Sequence, residues 1–174
     1  MLKIKPPDYK FCPFCGKKLQ IKIEEGKERE YCSSCHWTYY PYVALTVTAI
    51  IIHGSKVLLV KRAREPYKGT WMFPAGFVDF GEYPLDTIKR EVKEETDLTV
   101  KKACLMDIFQ IEDDPRSPGH FCFFYQVEVM DGCLKTDKEE NQDIGWFEIK
   151  NPPKIGWQSH QKMMKFLQRD LPRL

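Results

Sequence analysis

Hydrophobic and polar positions change period several times along the chain, and each change predicts an element. Val43 to His53 is rich in β-branched residues, Gly54-Ser55 has turn chemistry, and Lys56 to Val60 is apolar again, so the stretch predicts a β-hairpin. Upstream, Lys18 to Ile23 alternates as a half-buried strand should, and Glu24 to Lys27 reads as its turn. Trp71 to Val78 predicts a strand and a bend. From Pro84 the period becomes helical, and proline suits a first turn because its missing N–H costs nothing there. Leu98 to Ile111, Phe121 to Met130 and Ile144 to Ile149 predict three more strands. Between them lie a charged, breaker-rich loop (Glu112 to Gly119), a turn at Asp131-Gly132 and a polar loop from Thr136 to Asp143. Met163, Met164, Phe166 and Leu167 recur at helical spacing and predict a core-facing C-terminal helix. Residues 1 to 10 are polar and read as a loose lead-in. Cys104, Cys122 and Cys133 lie in or beside apolar strands, where buried thiols are expected.

Composition adds boundaries to this picture. A chain of 174 residues with 43% hydrophobic content suits one packed domain plus a small module. The net charge of +2 gives no reason to expect nucleic acid or an anionic membrane as partner. Apolar runs stop at about ten residues, too short to span a bilayer, and the first residues lack an apolar signal core. A soluble, cytoplasmic protein is the expectation.

Four of the seven cysteines form two pairs, Cys12/Cys15 and Cys32/Cys35, each CxxC and sixteen residues apart. Two such knuckles can close a tetrahedral Cys₄ site, which makes residues 1–40 resemble a zinc ribbon, with residues 41–174 as the main domain. Four thiolates leave no open position, so the Zn²⁺ would be structural. A disulfide pair would need an oxidising compartment, and a redox CxxC would want a βαβ context; neither is signalled. His36 reads as a surface residue.

The helix after Pro84 carries the chemistry. With Arg90 at zero, about 100° per residue places Glu94 near roughly 40°, Glu91 near roughly 100° and Glu95 near roughly 140°, beside Leu85, Ile88 and Val92 at roughly 160° to 220°. Three close carboxylates repel unless a cation sits among them. Mg²⁺ prefers a few carboxylates plus water and substrate phosphate. A solvated helix with Glu–Lys pairs at i,i+4 is the plain alternative.

Gly76, five residues, Glu82, seven residues, then Arg90-Glu91-Val92-Lys93-Glu94-Glu95 resembles the Nudix box with every spacing met; Asp97 stands where that pattern has glycine. The resemblance implies an α/β fold, a mixed sheet between the box helix and the C-terminal helix (an α/β/α sandwich). It implies hydrolysis of a nucleoside diphosphate linked to another moiety, with Mg²⁺ or Mn²⁺ on the side chains of Glu91, Glu94 and Glu95 and the carbonyl of Gly76. Glu82 and Arg90 would orient these ligands. The general base is expected from Glu140, before the strand ending in Trp146-Phe147, with Glu139 or a box carboxylate such as Glu94 or Glu95 as rivals. Arg62 or Arg64, in the basic exit from the hairpin, could bind the small-molecule substrate's phosphates, or be solvated. Phe121, Phe123 or Tyr125 could stack an adenine, core packing being the default for each.

A zinc ribbon ahead of a Nudix domain is similar to the arrangement in NADH, ADP-ribose and FAD pyrophosphatases. The Ser-Gln-Pro-Trp-Pro-Phe-Pro signature of the NADH group is missing from residues 106–115. Pro115, seventeen past Leu98, resembles the proline about sixteen residues past the box that goes with ADP-ribose cleavage in the family, though a breaker-rich loop would contain proline anyway. ADP-ribose or a similar ADP-linked compound is therefore the favoured substrate, giving AMP, with NADH or FAD as alternatives. A homodimer is expected from the resemblance alone. The competing class is a zinc-ribbon module that binds nucleic acid or protein, supported by Phe11, Phe14, Trp37 and Tyr39 beside the cysteines.

Overall fold

The computed structural model describes residues 9–130, 132–136 and 138–170. Most of the expected lead-in, and Asp131 of the expected Asp131-Gly132 turn, lie outside them. The chain divides into two units, Met1–Val43 and Ala44–Leu174. None of the described helices is long and apolar enough to cross a membrane.

In the first unit, β1 (Gln20–Glu24) and β2 (Lys27–Tyr31) pair antiparallel. Glu25 and Gly26 both adopt positive φ, the backbone that two-residue hairpin turns need to match strand twist. The cysteine knuckles flank this hairpin. The unit's buried apolar residues, among those described, are Cys12, Cys32 and Tyr39. Tyr9, Phe14, Trp37 and Tyr39 form a run of mostly edge-on aromatic contacts.

The second unit contains β3 (Leu45–His53), β4 (Lys56–Arg62), β5 (Trp71–Met72), β6 (Ala75–Phe77), α1 (Pro84–Thr96), β7 (Val100–Ile111), β8 (His120–Val129), β9 (Asn141–Glu148) and α2 (Gln158–Asp170). The main path of the sheet is β5-β4-β3-β8-β7, with β6 on β3 and β9 on β4. β3 and β8 run parallel and the other pairs antiparallel. The sheet is mixed, as expected.

β3 is covered on both faces, which explains its nearly unbroken apolar sequence. Val47, Ala49 and Ile51 pack with Ile88 and Val92 of α1. Ile50 lies on the other face with Phe73, Phe124 and the α2 residues Met163 and Leu167. The helices thus sandwich the sheet.

The hairpin is where the site begins. β3 and β4 pair only next to the turn, at Ile52–Val57 and His53–Lys56. Beyond that they splay: β3 continues with β6 and β8, while β4 continues with β9 and β5. Residues far from the turn on both arms, Thr46 and Thr48 on one and Arg62 on the other, line a common cleft.

Two expectations are corrected. Cys104 and Cys133 are exposed, and only Cys122 of the three is buried. Cys104 lies on β7, which forms one edge of the main path and leaves much of its surface uncovered. Part of the polar loop from Thr136 is strand: β9 starts at Asn141, which pairs with Arg62. At the end of α1, Asp97 adopts φ 60°, the left-handed C-cap geometry that glycine would otherwise supply, and Lys93 bridges to its carboxylate.

Candidate active site

Helix α1 presents its carboxylates unequally. Glu91 and Glu95 are buried and line a cleft of about 250 Å³, whereas Glu94 is exposed. Thr87, Ile88 and Val92 anchor the same face of the helix. Glu95 Oε2 accepts the Ala75 N–H at 2.8 Å, and Oε1 accepts the Asn141 side-chain amide at 2.8 Å. Both partners are neutral, so Glu95 forms no ion pair among the described residues. Burial pushes its pKa up to about 8, with the Glu91 and Glu140 charges adding to the rise and the two donors resisting it. Burial likewise raises Glu91 to about 7, against the pull of Arg90.

Arg90 is the hub of the remaining acids. Its Nε and Nη2 meet the two oxygens of Glu82 at 2.9 Å each, a fork-to-fork pair. Nη1 reaches Glu91 Oε1 at 2.7 Å and Glu94 Oε2 at 3.1 Å, and Nη2 also donates to the Phe77 carbonyl at 3.1 Å. The hydrogen bonds from Arg90 hold Glu82 down at about 2. Arg90 thereby ties the loop before α1 to the helix.

Gly76 lies on β6 against Glu91. A Cβ there would overlap the Glu91 carboxylate, so the position needs a residue without a side chain. That requirement is close approach, not turn geometry.

The acids fit a divalent cation. Among the described residues, only Cys12, Cys15, Cys32 and Cys35 bring three or more ligand-type side chains within reach of one ion, with sulfurs all within 4.8 Å of one another. Glu94 turns instead to Arg90. From α1, two buried carboxylates face the cleft beside the Gly76 backbone, one of them without a cationic partner among the described residues. Such a set suits an ion that takes few carboxylates and completes its shell with water and phosphate.

The raised values carry a stability consequence. In metal-free protein, the contribution of Glu91 and Glu95 is fully present below the unfolded value of 4.5 and is lost as pH rises through about 7 and 8. Metal-free Tm is therefore expected to fall between pH 5.5 and pH 8 by several degrees, on the order of 2–4 °C per kcal/mol for a chain of this size. Mg²⁺ or Mn²⁺ is expected to raise Tm more at pH 8 than at pH 5.5. Equal metal-induced shifts at both pH values in thermal scans would contradict this.

Around these acids the cleft is lined by groups from distant segments. Glu140 is there, paired with Arg64 Nη1 at 3.2 Å; Glu139 reaches Arg64 at 3.8 Å and is not part of the lining. Arg62 lines the cleft with Nε on the Pro66 carbonyl (2.7 Å), Nη1 on Met72 Sδ (3.3 Å) and its guanidinium over Trp157. Phe121 is on β8 outside the lining, as are Phe123 and Tyr125.

Sequence reasoning missed Asn141, Asp114, Arg116, Trp157 and His160, all in the lining. The breaker-rich loop signalled exposure but not direction. His160 is buried, and its Nδ1 accepts the Phe73 N–H at 3.2 Å, which leaves the proton on Nε2, 3.5 Å from Thr48 Oγ1. Burial and the neighbouring Arg62 push it down to about 3, so the imidazole is neutral.

Comparison with known proteins adds family relations. A family model described as NUDIX domain matches residues 43–167, and one described as Nudix N-terminal, a zinc ribbon, matches residues 10–41. The ADP-ribose pyrophosphatase of Methanocaldococcus jannaschii is 35% identical over 152 residues, 86% of this chain and 85% of that one. The NAD-capped RNA hydrolase NudC of Erwinia tasmaniensis is 29% identical over 140 residues, which is 80% of this chain but 51% of that protein, so the chain spans about half of it. The crystal structure of a NUDIX hydrolase from Nitrosomonas europaea superposes with a TM-score of 0.74 at 25% identity, covering 93% of this chain and 92% of that one.

Proposed function

The chain belongs to the Nudix hydrolase family, and from that membership we propose that it hydrolyses the phosphoanhydride of ADP-ribose or a related ADP-linked compound, releasing AMP. The observation that carries this reading is one cleft shared by Glu91, Glu95 and Glu140 with the guanidiniums of Arg62 and Arg116. Acids that need a cation and arginines that need an anion are complementary to a metal–diphosphate. The relative named ADP-ribose pyrophosphatase, matched over most of both chains, supports the choice of substrate.

In this reading Glu91 and Glu95, with the Gly76 carbonyl, would hold Mg²⁺ or Mn²⁺, and Glu94, paired here with Arg90, would be the third carboxylate of the set. The ion supplies charge neutralisation and a bound water of lowered pKa. Arg90 and Glu82 fix the Glu91 carboxylate, and Asn141 and the Ala75 N–H fix Glu95. Glu140 takes the proton as a water oxygen bonds to phosphorus and the bridging P–O bond breaks. Arg64 holds Glu140 at the cleft edge until then. The cysteines of the first unit hold one structural Zn²⁺. A cytoplasmic homodimer, not bound to nucleic acid, is part of the same proposal.

A hydrolysis screen tests the reading. With Mg²⁺ or Mn²⁺, ADP-ribose is expected to give AMP at higher kcat/KM than NADH, FAD, diadenosine polyphosphates or nucleoside triphosphates. Preference for NADH would move the substrate to the alternative class. Salt-sensitive RNA binding without turnover of any compound would replace the enzyme by a binding module.

A further inference from the structure

The loop between β7 and β8 is fixed at two successive aspartates. Asp113 Oδ2 accepts the Gln158 N–H at the start of α2 (3.0 Å) and the Tyr67 hydroxyl (2.9 Å). Asp114, buried at 2% exposure, takes Arg116 Nε on Oδ1 (3.0 Å) and Nη2 on Oδ2 (2.8 Å), and Oδ1 also accepts the Arg116 N–H (2.9 Å). The guanidinium lies over the rings of Phe77 (5.2 Å) and Trp157 (5.7 Å). A long side chain is thus set by a fork on one edge and by aromatic contact, at little remaining entropic cost. None of its bonds to Asp114 uses Nη1.

Arg62 is held comparably against the same Trp157, at 5.4 Å, with Nε and Nη1 engaged by neutral atoms. Neither arginine forms an ion pair with Glu91, Glu95 or Glu140 among the described residues. Two guanidiniums are kept in one cleft, one of them half-buried and paired with no carboxylate and the other with Nη1 unused by its own carboxylate, and a multivalent anion would satisfy both.

We propose that Arg116, positioned by Asp114 and Trp157, grips the diphosphate oxygens of the substrate, with Arg62 as its companion. This rests on the hydrolase reading for the identity of the ligand, not for the geometry. Arg116 then acts in binding, and Asp114 is a positioning residue. The loop that differs from the NADH-group signature becomes the segment that reads the phosphate end of the substrate.

Calorimetric titration with ADP and with adenosine, in the presence of Mg²⁺, tests the grip apart from turnover. Arg116→Ala is expected to weaken ADP binding on the order of 10- to 100-fold, the worth of charged hydrogen bonds, and to leave adenosine binding unchanged. Arg116→Lys, a point charge without the fork, should fall between. In ADP-ribose hydrolysis the same variants are expected to raise KM more than they lower kcat. Asp114→Asn should raise KM less than Arg116→Ala, with the ADP affinity recovering toward wild type at low salt, where an unfixed guanidinium is still attracted. Equal losses for ADP and adenosine, or unchanged ADP affinity in a folded Arg116→Ala protein, overturn the inference, as does failure of the wild type to bind ADP. A wild type that hydrolyses none of the screened compounds but binds ADP through Arg116 keeps this inference and rejects the hydrolase reading.

Discussion

Glu95→Gln is expected to reduce kcat for ADP-ribose by at least roughly 10³-fold: if Glu95 holds the metal as proposed, its loss removes several kcal/mol of transition-state stabilisation. The substitution separates chemistry from folding unusually well. Glu95 accepts two hydrogen bonds, from the Ala75 N–H and the Asn141 amide. Glutamine keeps the first with its oxygen, and an inverted Asn141 amide accepts from its nitrogen, so no buried polar atom is orphaned. The variant also removes a carboxylate whose burial raises its pKa to about 8. Metal-free Glu95→Gln should therefore melt at or above the wild-type temperature at pH 8, with a flatter pH dependence. Glu140→Gln, at the cleft edge, should lose only about 10²-fold, the lower range for a general base. Near-normal turnover in Glu95→Gln would remove it from the catalytic machinery. A Tm well below wild type would attribute any rate loss to folding instead.

The contrast among the box acids shows what the sequence could and could not yield. On the helical wheel Glu95 lies nearest the apolar arc of Ile88 and Val92, Glu91 next and Glu94 farthest. Their burial follows that order, with Glu95 at 4%, Glu91 at 7% and Glu94 exposed. Treating the three as one set hid a distinction the periodicity already contained. The hairpin, the mixed sheet and the two covering helices were legible because β3 is apolar on both faces and each helix carries one apolar stripe. The rest of the cleft was not legible, because it is made by tertiary contact between remote segments. Asp113 meets Gln158 across 45 positions, Glu95 meets Asn141 across 46, and Phe73 meets His160 across 87. No periodicity spans such distances. The exposed Cys104 has a similar cause: an edge strand and a central strand can share composition, and only the topology shows which face lacks cover.

Removal of zinc from the first unit is expected to unfold it outright, while the second unit stays folded. The unit lacks an apolar core of its own: its buried apolar residues, among those described, are two of the four cysteines and Tyr39. About forty residues cannot bury enough surface to fold without a metal or cross-link. Metal binding is then folding free energy. Within the cluster Cys15 and Cys32 sulfurs stand 3.6 Å apart. Cys32 is lowered to about 7, chiefly by the Cys35 N–H, and Cys35 is raised to about 12 by its hydrogen bond with Cys15. Four neighbouring thiols cannot all ionise unless a cation compensates them. The second unit has three apolar clusters from its own sheet and helices. Hydrogen exchange after chelation should therefore show loss of protection across β1 and β2 with protection retained in β3, β8 and α2. Cys32→Ser, at a buried position, should be more damaging than Cys35→Ser, at an exposed one. Retained protection in β1 and β2 after stoichiometric zinc loss would mean that the aromatic contacts hold the ribbon without metal, and protein isolated with no zinc would remove the site altogether.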